Sequence, residues 1–260
     1  MKRRGSVRII TIANHKGGIG KTTTAVTLAH GLALAGKKVL IADLDGQGHV
    51  ALSLNLKSKQ SAHLLFTLPN PPADAGETLL KVIHPTRRDN LWILPGGSLL
   101  EAAQAALGVN HSPVNLLRES LAALVKQFEY VVIDTSPAHG GVQERALFAA
   151  DFVIIPTSCR LLSIDAARET AMLLEQMRKM GWQGDLIGIL PTFYRSNTFE
   201  AKSNLDALRE AFGSIILEPV HEAEALARAS TNGQTIFEWD PRCAAAKAYQ
   251  KVVNRVLWLK

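Results

Sequence analysis

The chain contains few cysteines and no long apolar run, and these two shortages exclude several classes of protein. Its 260 residues include 2 cysteines, Cys159 and Cys243, which lie far apart and show none of the paired spacings of zinc sites. No window approaches about 18 consecutive apolar residues, and the first apolar run is broken at Asn14, so neither a membrane span nor a signal peptide is expected. We therefore expect a cytoplasmic protein whose thiols stay reduced.

The fraction of charged residues, acidic and basic together, is also moderate. Charged residues make up 20% of the chain and hydrophobic residues 47%, an ordinary globular composition, and we expect a single domain over residues 1–260. The net charge of +6 is mild, but it is compatible with an anionic partner because it is concentrated in two places. These are the start, with Lys2, Arg3, Arg4 and Arg8, and the segment after Asp240, with Arg242, Lys247, Lys251, Arg255 and Lys260.

Short β-branched runs alternate along the chain with longer Ala/Leu-rich stretches. This alternation is typical of βαβ units, and the nearly continuous hydrophobicity of the short runs indicates strands buried on both faces. The sequence therefore predicts an α/β fold with a doubly wound, mainly parallel sheet flanked by helices. Strands are predicted at 7–13, 38–43, 91–95, 130–134, 152–156, 186–191 and 214–218, and helices at 21–35, 113–127, 142–150, 163–180, 199–212, 221–230 and 242–258. The stretch 57–90 contains no clear element, and the three prolines and one glycine of its segment LPNPPADAG are typical of a loop.

A glycine-rich loop follows the first predicted strand and opens the first predicted helix. Glycines in this place let backbone N–H groups turn toward phosphate oxygens, and the helix N-terminus adds its dipole. Lys21 is placed to reach the β- and γ-phosphates, and the Thr22 hydroxyl is placed to ligate Mg²⁺. The general phosphate-loop pattern would have a further glycine where this chain has His15. The loop predicts a nucleotide site formed by Gly17, Gly18, Ile19, Gly20, Lys21, Thr22 and Thr23.

Three aspartates at predicted strand ends supply the carboxylates that a metal–nucleotide site needs. Asp43 ends the run VLIAD, Asp45 lies just beyond it, and Asp134 ends the run YVVID. We expect ATP and Mg²⁺ at the carboxyl edge of the sheet, with Thr22, Asp45 and Asp134 at the metal. Asp43 would then support the metal surroundings or the loop that carries Asp45.

The segment Lys16-Gly17-Gly18-Ile19-Gly20-Lys21-Thr22 resembles the deviant Walker A motif, KGGxGK followed by Ser or Thr, of the ParA/MinD family of ATPases. The resemblance implies a P-loop NTPase architecture in which Lys16 reaches across a dimer interface to the nucleotide of the partner. It also implies that Asp134 is the Walker B aspartate and that Asp45 positions or activates the attacking water. The implied catalytic residues are Lys16, Lys21 and Asp45, and Lys16 also counts among the nucleotide-binding residues.

Later segments resemble the same family in the family's order. The strand end at Thr192 and Tyr194 resembles the segment near the family's adenine pocket, and the resemblance implies that these residues and Pro219 bind the nucleotide. The stretch 233–237 and the pair Asp240-Pro241 resemble the family's closing segment. The likeness therefore covers nearly the whole chain.

The chain also departs from the family pattern in two loops. It has Gly46 and His49 where the family's DxDPQGN pattern has proline and asparagine, which affects the geometry of the water-positioning loop and the hydrolysis rate. Where ParA proteins often have IPR and a further arginine that help to hold DNA, this chain has the residues 218–222 with the sequence EPVHE. DNA binding would then depend on clustered positive charge elsewhere, and the candidates are Arg228, Arg242, Lys247, Lys251 and Arg255.

The resemblance implies a ParA-type ATPase. Such a protein binds MgATP, forms a nucleotide-sandwich homodimer, binds nonspecific DNA in the ATP state and hydrolyses ATP when a ParB-like or other adaptor protein stimulates it. It would be cytoplasmic and nucleoid-associated, and it would segregate or position a DNA or protein cargo. By the same resemblance the adaptor recognises the cargo, which could be a plasmid, a chromosome origin or a protein assembly such as a carboxysome or a chemotaxis cluster.

Three alternatives remain open at this point. A MinD-like protein would bind the membrane through a terminal amphipathic helix, and the last predicted helix does combine basic residues with Val252, Val253, Val256, Leu257, Trp258 and Leu259. A helix that packs its apolar face on the sheet explains the same pattern, so membrane binding is not expected. A metabolic or redox member of the fold would need a cluster-binding cysteine soon after Asp134, and the segment 134–141 contains none. A nucleotide-dependent scaffold without catalysis is the third alternative.

Overall fold

The structure, a computed structural model, describes residues 7–68, 75–109, 111–124, 126–137, 140–159 and 163–259. Within these residues, seven strands form one sheet in the order β3-β4-β2-β5-β1-β6-β7. The strands are β1 (Arg8–Ile12), β2 (Val39–Leu44), β3 (His84–Arg88), β4 (Leu91–Leu94), β5 (Tyr130–Thr135), β6 (Phe152–Ser158) and β7 (Asp185–Thr192).

Helices connect these strands and cover the sheet. They are α1 (Lys21–Leu34), α2 (His49–Ser53), α3 (Leu64–Thr67), α4 (Ala75–Lys81), α5 (Leu99–Val109), α6 (Leu116–Ala122), α7 (Gly141–Ala149), α8 (Ser163–Lys179), α9 (Phe199–Phe212), α10 (Glu224–Thr231), α11 (Ile236–Trp239) and α12 (Ala244–Trp258). None of the helices in the described part of the chain is both long enough and apolar enough to cross a bilayer.

All neighbouring strands are parallel except β3 and β4, which form an antiparallel edge. The register brings the carboxyl ends of the central strands together, because Asp134 on β5 pairs with Ile12 on one side and with Asp43 on the other. The loop after β1 and the ends of β2 and β5 therefore meet at one edge, which is where ligands bind in open parallel sheets.

Both faces of the sheet are buried, as the sequence predicts. Successive residues of β1 point to opposite sides, so Ile10 packs in a cluster with α1 and α12 while Ile9 packs in a second cluster with α5, α6 and α7. A third cluster lies where β6 and β7 pack against α8. Helix α12 contributes Val252, Val253 and Val256 to the first cluster, so these apolar residues serve the core and are not free to enter a membrane.

The prediction of a seventh strand at 214–218 is wrong. Gly213 adopts a φ of 59° after α9, and the chain then forms a short 3-10 helix, Gly213–Ile215. Only one bridge, between Ile189 and Ile216, connects this stretch to β7, and Pro219 two residues beyond Leu217 has no N–H with which to continue a ladder. The apolar run instead fills the space beside the outer strand.

The predicted helix 113–127 is shorter than expected, Leu116–Ala122, whereas the other predicted strands and helices are confirmed within a few residues. The unassigned stretch 57–90 contains α3, α4 and β3, and the sequence prediction also missed α2, α5 and α11. Most of these elements are short, so a single element spans too few residues to display a periodic pattern. Four of the basic residues in the two positively charged segments lie outside the described residues: Lys2, Arg3, Arg4 and Lys260.

Candidate nucleotide and metal site

The loop between β1 and α1 curls around the N-terminus of α1. Gly18 and Gly20 have φ values of 69° and 88°, in the left-handed region that L side chains rarely adopt. Glycine at these positions lets successive backbone N–H groups point to the same side, toward the start of the helix at Lys21. The local geometry is therefore that of an anion-binding cradle.

Two buried side chains connect this loop to the neighbouring strands β6 and β7. The Asn14 amide donates to the carbonyl oxygen of Pro156 at 2.8 Å and accepts from the Lys16 N–H at 3.0 Å. The Thr192 hydroxyl donates to the carbonyl oxygen of Ile19 at 2.9 Å. Asn14 was not predicted as a site residue, although a polar side chain at the end of a hydrophobic strand is a signal that could have indicated it.

Lys21 lies buried beneath the loop. Its ammonium group donates to the carbonyl oxygen of Lys16 at 2.7 Å. Burial lowers the pKa of Lys21, and the nearby carboxylates of Asp134 and Asp45 oppose that decrease. The loop therefore holds a desolvated cation whose present acceptor is a main-chain carbonyl, a contact that a phosphate oxygen can replace with a stronger charge-assisted one.

Asp134 is fully buried, and none of the described residues completes a hydrogen bond to either of its carboxylate oxygens. Burial and the neighbouring carboxyl groups of Asp43 and Asp45 raise its pKa well above the usual range, while Lys21 and the Thr22 hydroxyl, which is close to the carboxylate although outside hydrogen-bond geometry, act in the opposite direction. An unpartnered buried carboxylate is costly unless a cation compensates it. Mg²⁺ fits this place, because Asp134 and the Thr22 hydroxyl are both oxygen ligands beside a phosphate loop.

No cluster of three or more acidic, histidine or cysteine side chains within the described ranges could hold a metal ion alone.

Asp43 and Asp45 have different surroundings although they are two residues apart. The Asp43 carboxyl group accepts from the N–H groups of Asp45 at 3.0 Å and Val50 at 3.2 Å, and burial raises its pKa to about 7. Asp43 therefore supports the loop. Asp45 accepts from the Gln47 N–H at 3.0 Å and directs its other oxygen toward His49 Nδ1 at 3.9 Å.

A cavity of about 680 Å³ begins at the phosphate loop and continues along α1, and its lining includes both Asp45 and His49. The phosphate-loop residues that line it are Gly17, Gly18, Gly20, Lys21, Thr22 and Thr23, whereas Ile19 is buried beneath the loop. On its other sides lie α2, α10 and residues 234–236.

The residues predicted at the adenine end are near this cavity but do not line it. Thr192 braces the loop, and the ring of Tyr194 meets that of His221 edge-on, with 5.1 Å between the centroids. Pro219 also lies outside the lining, which instead includes Phe193, with a φ of 52°. Nucleotide contacts by Thr192, Tyr194 and Pro219 therefore stay a prediction. A positive φ strains an aromatic residue, and backbone strain is found preferentially at functional sites. Phe193 is therefore a candidate site residue that the sequence prediction missed.

The side chains predicted to bind DNA are all exposed, and they lie on α10, on α12 or just before α12. They are Arg228 on α10, Arg242 before α12, and Lys247, Lys251 and Arg255 on the solvent face of α12. Arg228 pairs with Glu224 at 2.7 Å and Lys251 with Glu218 at 3.1 Å, and such exposed pairs contribute little stability. The helical spacing places three of the cations on one face of α12, and DNA contact by them stays a prediction.

The parallel sheet, the phosphate loop on α1 and the buried aspartate at the end of β5 define a P-loop nucleotide-binding protein. Residues 7–184 match the protein family described as AAA domain. Over 256 residues the chain is 32% identical to the chromosome-partitioning ATPase Soj of Thermus thermophilus, with 98% of this chain and 97% of that protein covered. The chain therefore belongs to the ParA/MinD family of deviant Walker A ATPases.

Solved structures show the same fold. Apo McdA of Cyanothece superposes with a TM-score of 0.86 at 23% identity, covering 96% of this chain and 99% of that one. MinD of Pyrococcus horikoshii, solved as a complex with Mg-ADP, superposes with a TM-score of 0.76 at 22% identity and 96% coverage of both chains. Nucleotide and Mg²⁺ are thus bound in this fold.

Proposed function

We propose that the protein is a ParA-type positioning ATPase. It binds MgATP, pairs with a second copy around the nucleotide, holds nonspecific DNA in that state and hydrolyses ATP when an adaptor protein stimulates it. The observation that carries the proposal is the buried Asp134 carboxylate, which has no hydrogen-bond partner among the described residues and lies beside Thr22 and Lys21 at the phosphate loop. Its cargo is a DNA molecule or a protein assembly, and it acts in the cytoplasm on the nucleoid.

The site residues have separate roles in phosphoryl transfer. The loop N–H groups and Lys21 hold the β- and γ-phosphates, and Asp134 and Thr22 hold the metal. When bound, Mg²⁺ neutralises negative charge on the phosphates. Asp45, in the lining of the cavity, orients the water that attacks the γ-phosphorus in line with the leaving oxygen.

Lys16 completes the site from the partner subunit. Its carbonyl oxygen is the acceptor for Lys21, so its backbone is part of the cradle, while its side chain is absent from the lining of the cavity in its own subunit. A lysine at the rim of the loop, in the family motif, suits contact in trans with a facing triphosphate. Hydrolysis would then require pairing.

The loop that carries Asp45 suggests slow turnover without the adaptor. Gly46 makes this loop more permissive than the family's proline would, and His49 lies 3.9 Å from the Asp45 carboxylate, which is too far for a hydrogen bond. The water-positioning group is therefore loosely held in the single chain. Dimerisation and adaptor binding would order it.

The experiment combines light scattering with retention on nonspecific DNA, each in ATP, ADP and no nucleotide. We expect a dimer and DNA retention with ATP alone. The variant K16A should bind ATP but remain monomeric and fail to bind DNA. A K16A protein that still pairs and hydrolyses ATP at the normal rate would contradict the proposal.

A charge-reversal pair tests the DNA surface separately. K247E/R255E changes the exposed face of α12 and should abolish DNA retention while leaving the ATP-dependent dimer intact, because phosphate contacts need clustered positive charge. K179E/K202E makes the same change in net charge on exposed positions of α8 and α9 and is the control. Equal retention of the two variants would exclude α12 as the DNA surface.

A further inference from the structure

The cavity has a wall that is remote from the phosphate loop. Residues 234–236, here called the far wall, line the cavity between α10 and α11. Thr235 lies beside the third turn of α1, where its hydroxyl is 2.6 Å from His30 Nδ1. Because a helix rises about 1.5 Å per residue, the far wall lies more than 10 Å along α1 from the phosphate loop at Lys21.

Arg88, at the end of the edge strand β3, binds the segment that forms the far wall. Its Nη2 donates to the Gly233 carbonyl oxygen at 2.6 Å and to Glu238 Oε2 at 2.8 Å, and its Nε donates to the same carboxylate oxygen at 3.0 Å. The Arg88 side chain is only 10% exposed, so this ion pair is better shielded from water than the others described above. A shielded, forked guanidinium contact has a defined geometry.

Glu238 connects Arg88 to the far wall, because it contacts both. Its Oε2 accepts from the Thr235 N–H at 2.7 Å and completes a capping box at the start of α11. Thr235 in turn contacts His30 on α1, so one continuous chain of polar contacts runs from the edge hairpin to the helix that begins at the phosphate loop. The residues in this chain are Arg88, Glu238, Thr235 and His30.

The segment that forms the far wall is also closely packed at Gly233. A Cβ atom added at Gly233 would collide with Asn55, which follows α2, and Gly233 has a φ of 68° that disfavours other residues. The segment therefore has little freedom to move toward Asn55. Removing Arg88 would leave the Gly233 carbonyl without this donor and would release the segment from the restraint that Arg88 provides.

We propose that Arg88 is a positioning residue that holds the far wall in place for the end of the nucleotide remote from the phosphates. This inference rests on the proposed nucleotide-binding function. Arg88 does not touch the phosphate loop, so its effect is confined to ligands that extend along α1. The affinity for a ligand that consists of phosphates alone should not change when Arg88 is removed.

The test compares two ligands on the full-length protein with Mg²⁺. By isothermal titration, R88A should raise the Kd for ADP about tenfold, the loss expected for a shielded charge-assisted contact, and should leave the Kd for inorganic pyrophosphate within about twofold. In ATP hydrolysis, the KM should rise by a similar factor while kcat changes little. R88K keeps the charge without the fork and should fall between R88A and the unchanged protein.

Arg118 offers a matched control. It also donates to a carbonyl oxygen, that of Ala149 at 2.7 Å, and to a carboxylate, that of Asp151 at 2.9 Å, but from α6 to the residues just before β6. The Arg118 side chain is 44% exposed, so R118A should lose less thermal stability than R88A, and it should keep its ADP affinity. If R88A binds ADP as R118A does, or if ADP and pyrophosphate weaken equally, the inference is overturned.

Two further results keep the inference separate from the function on which it rests. Should R88A fail to fold, E238Q removes the same ion pair and should also raise the Kd for ADP several-fold. An unchanged Kd in E238Q would overturn the role of Arg88. Failure of the unchanged protein to bind ADP at all would instead defeat the proposed function.

Discussion

Asp43, Asp45 and Asp134 are identical side chains in three different surroundings. The sequence places all three at strand ends and predicts them as one acidic group. The structure separates them, because Asp43 accepts two backbone N–H groups, Asp45 reaches the cavity, and Asp134 is enclosed without a hydrogen bond from the described residues. Enclosure depends on which elements pack over a residue, and that is not encoded within a few positions of the chain.

His30 is a second residue whose chemistry follows from burial. It is 4% exposed, and burial lowers its pKa from the ordinary value of 6.5 to about 4. Among its charged neighbours, Glu238 opposes this decrease and Arg88 adds to it. His30 is therefore neutral at physiological pH and contacts Thr235 in that form.

This gives a pH dependence of stability with a defined sign. Between about pH 4 and pH 6.5 the unfolded chain binds a proton at His30 that the folded chain does not. The free energy of unfolding should therefore rise with pH across this window and level off above it, with a contribution from His30 of about 2 to 3 kcal/mol. H30N can keep the contact with Thr235 but cannot titrate, and it should flatten the rise measured by denaturant unfolding.

The control for this measurement is H111Q, which removes an exposed histidine. It should preserve the pH dependence of the unchanged protein. A slope that H30N leaves intact would show that other groups cause it.

At the scale of elements, α1 connects the phosphate loop to the rest of the molecule. Most of its residues are buried, and it packs against α12, α11 and the sheet. Gly31 is the point of closest approach, because a Cβ atom there would collide with Val253 on α12 and lie 2.9 Å from the Phe237 ring. Alanine is the better helix former in isolation, so propensity and packing oppose each other at this position.

Packing should dominate at Gly31. G31A is expected to lower the free energy of unfolding by about 1 to 3 kcal/mol, since neither Val253 nor Phe237 can move without disturbing the core. Thermal and denaturant unfolding would measure this loss. G31A should also weaken nucleotide binding if the displaced helix shifts the phosphate loop.

G108A is the matched substitution on another helix. Gly108 lies in α5 with open space around it, so the same change should be neutral or stabilise the protein by about 0.5 to 1 kcal/mol. A G31A protein as stable as G108A would mean that α1 and α12 are less closely packed than the structure has them.

At the scale of the whole molecule, the proposed dimer makes each active site composite. One subunit supplies Lys21, Asp45 and Asp134, and the facing subunit supplies Lys16. A C2 dimer contains two such sites, and each draws on both chains. Mixing two inactive variants can therefore rebuild one complete site per mixed dimer.

K16A and D45A provide this test. Each variant alone should show almost no stimulated ATPase activity, whereas an equal mixture should recover a measurable fraction of the normal rate, because each mixed dimer has one Lys16 with which to pair and one complete site. Phosphate release measured across mixing ratios would check it. K16A mixed with K21A is a second informative pair, since the K16A subunit then has its own Lys21 and receives Lys16. No recovery in either mixture would argue against a lysine acting in trans.

What the sequence determined by itself was the local framework of the site. The glycine spacing before Lys21, the hydrophobic runs that end at Asp43 and Asp134, and the alternation of strands and helices act over a few residues, so they predicted the phosphate loop, six of the strands and the carboxyl edge. The same local pattern failed at 214–218, where an apolar run packs beside β7 without joining it as a strand.

Only the tertiary structure decided which groups are buried and which distant residues meet. The antiparallel edge strand β3 went unpredicted, yet it carries Arg88, whose partner Glu238 lies 150 positions away along the chain. The structure also determined that Asp134 lacks a hydrogen-bond partner within the described residues, that His30 has a lowered pKa and that residues 234–236 line the cavity. Desolvation and hydrogen-bond pairing depend on the packing of elements remote in sequence, so no short-range pattern could have determined them.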